Sequence, residues 1–403
     1  MSRPLFSFGT SRGGTTFFAR ILSVNPQVKM ASDPFLPLFR ALRTAIIQQK
    51  IDPAFNGNKP LDDYYFSTQK QKTFKVIQAA DLDLPFPQEN LPGLQQLLLA
   101  RMNLAAKELA VSANEISGTT FRELFQSGLA VMEKVYDAGQ TKWCGSNDNW
   151  VIEFLPMLAR AFVEAKFIVI VRDPRAAMAS SMKIRDKFPT LVPLMYSFAH
   201  HWRKHAAFAW ALQHEPEFQN RLLVLRYEDL VTSPEAQVKN ICQFLEVEYF
   251  PAMLVPENFR PITGEKWNGY SRYEVPKDKI YTDAIDAWKK YLAPGTIEFI
   301  EFVCDPEMRL FGYESAQGQA GNNNGFPSAG VMQFLLEDDK LAQGWRGEHE
   351  SWDKEFGYEL FRKQMLKLNK DQLTEDVVAR YFLFEKVFDA CCQLQTQMEE
   401  VCR

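Results

Sequence analysis

Apolar positions along this chain fall into two alternating patterns, short continuous runs and longer stretches of helical period. Leu5, Phe6 and Phe8 predict a short buried strand, and Thr15–Val24 then carries Phe17, Phe18, Ile21 and Leu22 at helical spacing. Further strands are expected at Lys75–Ala80, Lys142–Ser146, Lys166–Arg172 and Leu222–Leu225. The run KFIVIVR at 166–172 is β-branched and continuously apolar, as a central parallel strand covered on both faces should be. Helices are expected over Leu36–Gln49, 93–111, 117–137, 147–165, 176–187, 191–214, 234–245, 284–292 and 295–310. Strands alternating with helices predict an α/β fold with a mainly parallel sheet flanked by helices.

Two departures from that alternation set the expected domain plan. Residues of about 85–140, opened by Pro85, Pro87 and Pro92, read as a helical insertion. Gly318–Gly330 is rich in glycine and asparagine, so a first domain over 1–315 and a linker over 316–330 are expected. A C-terminal helical appendage over 331–403 would follow, with Trp352, Phe356 and Leu360 on one helix and Val377, Tyr381, Phe384 and Phe388 on another. It either packs on the main domain or joins copies of the chain into a homo-oligomer.

The 403 residues are 46% apolar and 24% charged, with a net charge of −4, so no broad basic footprint for nucleic acid is expected. No apolar run approaches the ~18 residues of a membrane span, and no membrane insertion is expected. The first strand begins by Leu5, leaving no room for a signal peptide ahead of it, so a cytoplasmic location is expected. The six cysteines show no paired spacing, so reduced thiols are the default.

The chemistry concentrates in Gly9–Thr16. A strand, a glycine loop and a helix aim backbone N–H groups and a helix N-terminus at an anion. The spacing Gly9-x4-Gly14-Thr15-Thr16 is P-loop-like, but Thr15 stands where an ATPase loop has its lysine, and the nearest cation is Arg12. That suits a 5′ phosphate group without a triphosphate tail; a plain turn with no ligand is the other reading. Arg172 at the end of the central strand and Ser180 two turns into the next helix would suit a second phosphate. Otherwise Arg172 pairs with Asp173, or a neighbour, and Ser180 faces polar surface. Asp33 reads as the cap of the following helix. His201 and His205 are four apart but lack the HExxH setting, and no metal is expected.

With both anion sites in hand, the chain resembles the sulfotransferases that use 3′-phosphoadenosine-5′-phosphosulfate (PAPS). The matching stretches are FSFGTSRGGTTFFARIL, KFIVIVRDPRAAMASS, VLRYEDLVTSPEAQVKNICQFL and, more weakly, AWKKYLAPGTIEFIEFVCDPEMRLFGY. They are closest to the bacterial and tyrosylprotein-type branch. The resemblance implies that Arg12, Gly13, Gly14, Thr15 and Thr16 hold the 5′-phosphosulfate, and that Arg172 and Ser180 hold the 3′-phosphate. It places Ser271 and Arg272 in a loop closing over the nucleotide, and Arg226 and Tyr227 near it or bracing their turn. It implies Arg12 and Asp33 as catalytic residues, with Asp33 as base ahead of Asp148, PAPS as donor, no metal, and a small-molecule acceptor. Many relatives carry a lysine where this chain has Gly145-Ser146-Asn147-Asp148. A P-loop kinase or NTPase, and a nucleotide-binding protein without chemistry, are the alternatives.

Overall fold

The computed structural model describes residues 2–55, 65–66, 68–136, 139–185, 195–259, 280, 282–316, 352–368 and 370–401. Five strands form one sheet: β1 (Arg3–Gly9), β2 (Val28–Ser32), β3 (Trp143–Asn149), β4 (Lys166–Val171) and β5 (Leu222–Arg226), in the order β2-β3-β1-β4-β5. β1 pairs in parallel with β3 (Leu5 beside Gly145, Gly9 beside Asn149) and with β4 (Leu5 beside Lys166, Gly9 beside Ile170). β2 runs parallel to β3 at the sheet's edge. The expected α/β class, a P-loop-like parallel sheet flanked by helices, is the one observed.

The described chain divides into two compact units. The first holds Met1–Leu61, Lys72–Ile170 and Glu215–Thr282; the second holds Asp62–Gln71, Val171–His214 and Asp283–Arg403. In the first, Leu5, Phe6 and Phe8 of β1 are at most 1% exposed, and the Phe6 ring stacks on Phe167 of β4 at 5.9 Å. Apolar residues point to both faces of these strands, which is why their runs are continuous. The region of the expected insertion forms helices over Leu91–Ala105, Lys107–Ala110 and Phe121–Tyr136.

Two sequence expectations fail here, and one strand was not expected. Lys75–Ala80 is not a strand; Thr68–Ala79 is a helix, with Phe74 and Ile77 buried three apart. The helix expected over 147–165 is shorter, because β3 runs on through Ser146, Asn147, Asp148 and Asn149 and the helix spans only Leu155–Ala161. These four polar residues are at most 9% exposed, so their polarity marks a buried strand end, not a loop. β2 went unforeseen, since VKMAS is short and holds a lysine on an edge strand.

In the second unit the segment expected over 295–310 is two helices, Pro294–Cys304 and Glu307–Leu310, parted at Pro306. The last expected helix is also two, Glu375–Phe382 and Glu385–Val401, broken at Leu383 with φ 63°. A closed ring of ion pairs lies inside this unit. Arg362 donates to Glu307 at 2.7 Å and to Glu359 at 2.8 Å. Arg203 donates to Glu359 at 2.8 Å and approaches Glu307 at 3.4 Å. All four side chains are at most 2% exposed. The helix Trp352–Met365, from the expected appendage, is thereby fastened to Met195–Gln213 and to Glu307–Leu310. The expected linker over 316–330 lies almost wholly outside the described residues.

Candidate functional site

β1 ends at Gly9, and the loop after it closes tightly, with the Gly13 N–H donating to the Thr10 carbonyl at 2.9 Å. Gly14 then caps helix α1 (Thr15–Ser23) at φ 87°, a conformation that favours glycine. A Cβ on Gly14 would run into the Tyr227 ring, so the close approach of β5's following turn also demands glycine. Tyr227 thus lies against the loop, edge-on to Phe17 at 6.5 Å. Arg12 holds φ 65°, which places the loop's cation on a strained backbone.

Several features of this loop suit an anion. α1 has no acidic residue in its first turn, and its N-cap residue, Gly14, offers no side-chain cap. Those amides have no intrahelical acceptor, and the helix dipole favours negative charge beside them. The Thr10 hydroxyl is buried with no hydrogen-bond partner and lies 3.2 Å from where a Cβ on Gly13 would sit. The residues present therefore fit a phosphate or phosphosulfate.

β3 builds the neighbouring part of the site. The Thr15 hydroxyl donates to Asn149 Oδ1 at 3.2 Å. Asn149 in turn donates to Asp33, through its backbone N–H to Oδ1 at 2.9 Å and through Nδ2 to Oδ1 and Oδ2 at 3.2 and 3.1 Å. Arg101, from the helix Leu91–Ala105, completes the set with Nη2 at 2.8 Å from Asp33 Oδ2 and Nε donating to the Asp33 carbonyl at 3.0 Å. A line of direct contacts therefore runs from Thr15 to Asn149 to Asp33 to Arg101. Asp33 does not cap helix α2 (Leu36–Lys50), as one reading of the sequence had it. The capping position is Phe35, with no side-chain bond, and the Asp33 N–H donates to the Asn147 carbonyl at 2.7 Å.

Asp148, the second-choice base, is buried beside this line and accepts the Phe35 N–H at 3.2 Å. Burial and the neighbouring Asp33 charge push its carboxyl up to about 7. Ser146, the Phe35 amide and Arg101 oppose that shift only in part. Asp33 keeps 19% of its side chain exposed and Asp148 is 1% exposed, so Asp33 is the more open carboxylate of the two.

Arg172 and Ser180 belong to the second unit and are each 6% exposed. Arg172 directly follows β4; its carbonyl accepts the Trp202 indole N–H at 2.8 Å, and Nη2 donates to the Ala284 carbonyl at 3.0 Å. Ser180 lies on the helix Pro174–Arg185. Asp173 is gripped by Arg175, whose Nη2 donates to it at 2.7 Å and whose Nη1 reaches Glu301 at 2.6 Å. Ser271 and Arg272 lie outside the described residues. His201 and His205 are each 3% exposed, and among the described residues no group of three or more His, Cys, Asp or Glu is placed to hold a metal.

Asn149 and Arg101 were not foreseen. Asn149 stands in an Asn-Asp-Asn run after an apolar strand start, a pattern that predicts the beginning of a helix. Arg101 carries no sequence signal, since it lies 68 residues from Asp33 on a surface helix.

Comparison with known proteins bears on this site. A profile described as "Sulfotransferase family" matches residues 4–251. Carbohydrate sulfotransferase 3 of Tetronarce californica is 26% identical over 188 residues, which is 42% of this chain and 41% of that protein. A putative protein-tyrosine sulfotransferase of Caenorhabditis briggsae is 23% identical over 182 residues, 43% of this chain and 61% of that protein. The chain thus spans less than two thirds of the length of these relatives. The sulfotransferase domain of the Synechococcus PCC 7002 olefin synthase is similar over 78% of this chain and 96% of its own, at 18% identity and a TM-score of 0.45. The profile takes in the loop, all five strands, Asp33 and Asn149, more than half of the 403 residues, and on that match the chain belongs to the sulfotransferase family.

Proposed function

We propose that this chain transfers a sulfuryl group from PAPS to a hydroxyl or amine of a small-molecule acceptor by in-line displacement. The observation that carries the reading is the direct link between an anion-ready loop and a reachable carboxylate, Thr15 to Asn149 to Asp33. Arg12, Gly13, Gly14, Thr15 and Thr16 hold the 5′-phosphosulfate. Charge builds on the leaving phosphate and on the sulfuryl oxygens, and the loop amides with Arg12 stabilise it without reorganising. Asp33 takes the proton from the acceptor, a role that requires approach to about 3 Å. Arg172 and Ser180 take the 3′-phosphate; this assignment rests on the resemblance alone. The chemistry asks for no metal, because Arg12 and the loop amides would hold the leaving group. A cytoplasmic location belongs to the same reading.

The names of the relatives put sugar hydroxyls first among acceptors to try, followed by phenols, lipids and other metabolites. The test is incubation with sulfur-labelled PAPS and each acceptor class, with the labelled product separated and counted. Label in any acceptor, lost in Arg12→Ala, supports the reading. PAPS turnover with no acceptor class, alongside transfer from ATP with magnesium, overturns it in favour of a kinase.

A further inference from the structure

Resting on that reading, we infer that Asn149 is a positioning residue for the transfer, which holds the Asp33 carboxylate in register with the donor-binding loop and opens it to the acceptor. A carboxylate offers about four lone-pair sites. Asp33 uses all four: Asn149 N and Nδ2 on Oδ1, Arg101 Nη2 and Asn149 Nδ2 on Oδ2. An acceptor hydroxyl reaches Asp33 only if one donor withdraws. Two of the four are short, at 2.9 Å from a fixed backbone amide and 2.8 Å from a guanidinium. The other two come from the one Nδ2 atom, stretched between both oxygens at 3.2 and 3.1 Å. Turning that amide onto a single oxygen keeps one hydrogen bond and vacates a lone pair on the other. It is the least costly opening in the cluster.

The same side chain faces the donor. Asn149 Oδ1 accepts the Thr15 hydroxyl, and Thr15 is the first residue of α1. Among the described residues Arg101 makes no such link; it binds Asp33 Oδ2 and the Asp33 carbonyl. Asn149 is therefore the residue through which the positions of base and donor are tied, and orientation of this kind is worth on the order of 100-fold when misplaced by about 1 Å.

The experiment is a double-mutant cycle on PAPS turnover with Asn149→Ala, Asp33→Asn and the pair, with Asn149→Ser as a second, smaller change. Thermal unfolding with and without 3′,5′-ADP checks that each variant folds and still binds. Asn149→Ala should lower kcat on the order of 10- to 100-fold with the acceptor KM nearly unchanged, and Asn149→Ser should fall between. In the Asp33→Asn background the same change should cost less than about 2-fold, because groups acting as a unit are not additive. Equal losses in both backgrounds, or a loss carried entirely by weaker 3′,5′-ADP binding, would overturn the positioning role while leaving the sulfotransferase reading intact. Absence of wild-type turnover with any acceptor would overturn both.

Discussion

The Thr15 hydroxyl donates to Asn149 Oδ1 at 3.2 Å, joining the first turn of α1 to the last residue of β3. Gly9 and Asn149 are partners in the β1–β3 register, so the loop leaves β1 directly beside the strand it is bonded to. Thr15→Val keeps the shape and removes the bond. It should cost about 1 kcal/mol of stability, the usual worth of one buried hydrogen bond. It should also weaken 3′,5′-ADP binding on the order of tenfold by calorimetric titration, whereas Thr15→Ser should stay near wild type. Equal binding by both variants would remove the hydroxyl from the account.

Gly14→Ala meets two separate obstacles, the φ of 87° and the Tyr227 ring. The backbone part should cost about 1–2 kcal/mol. Adding Tyr227→Ala should recover the steric part and leave the backbone part. Urea unfolding of the two single variants and the double separates them. Full recovery in the double would mean that the left-handed conformation is not required.

Asp148 gives the site a pH signature. Its carboxyl is raised from 3.8 to about 7 in the folded protein, chiefly by burial. Between those values the folded state binds more protons than the unfolded chain, so this group makes stability fall as pH rises from about 4 to 7. Asp148→Asn removes the penalty while keeping an oxygen for the Phe35 amide. The variant should gain on wild type through that window by on the order of a few kcal/mol, and the difference should be flat below about pH 4. Denaturant titrations at pH 4, 6 and 8 measure it; a difference independent of pH would contradict the assignment.

The ring of Arg203, Glu359, Arg362 and Glu307 makes the C-terminal segment part of its unit's interior. Arg362 stays firmly protonated despite complete burial, because Glu307 and Glu359 flank it. Arg362→Ala leaves two buried carboxylates to share the single cation Arg203 and should cost about 3–5 kcal/mol. Truncation before Trp352 removes Glu359 and Arg362 together, leaving Arg203 and Glu307 still paired at 3.4 Å, but it also strips the helix that covers them. The truncated protein should be recovered mainly as aggregate. A soluble, cooperatively melting fragment would show that the segment is dispensable.

Much of this was legible in the residues. The apolar runs of β1 and β4 identify themselves because both faces are buried, and the loop's Gly14 identifies itself because a Cβ there would meet Tyr227. β3 hid its second half, since Ser146 to Asn149 are polar yet buried, and only some of their atoms find partners inside the fold, as Asn147 Oδ1 does by accepting the Ser7 hydroxyl at 2.8 Å. The helix-cap reading of Asp33 fails, because the capping position falls to Phe35. Arg101 was beyond reach, because nothing local couples a helix surface arginine to a strand end 68 residues away.

The central claim is that the loop at Gly9–Thr16 is built for a phosphosulfate nucleotide, not for a triphosphate. Thermal unfolding with 3′,5′-ADP, with 5′-AMP and with ATP plus magnesium tests it most directly. A ligand at 100 times its dissociation constant stabilises the native state by about 2.7 kcal/mol, well within reach of the measurement. The account predicts a clear rise with 3′,5′-ADP, a smaller one with 5′-AMP, and loss of both in Arg12→Ala. A rise confined to ATP with magnesium would contradict it.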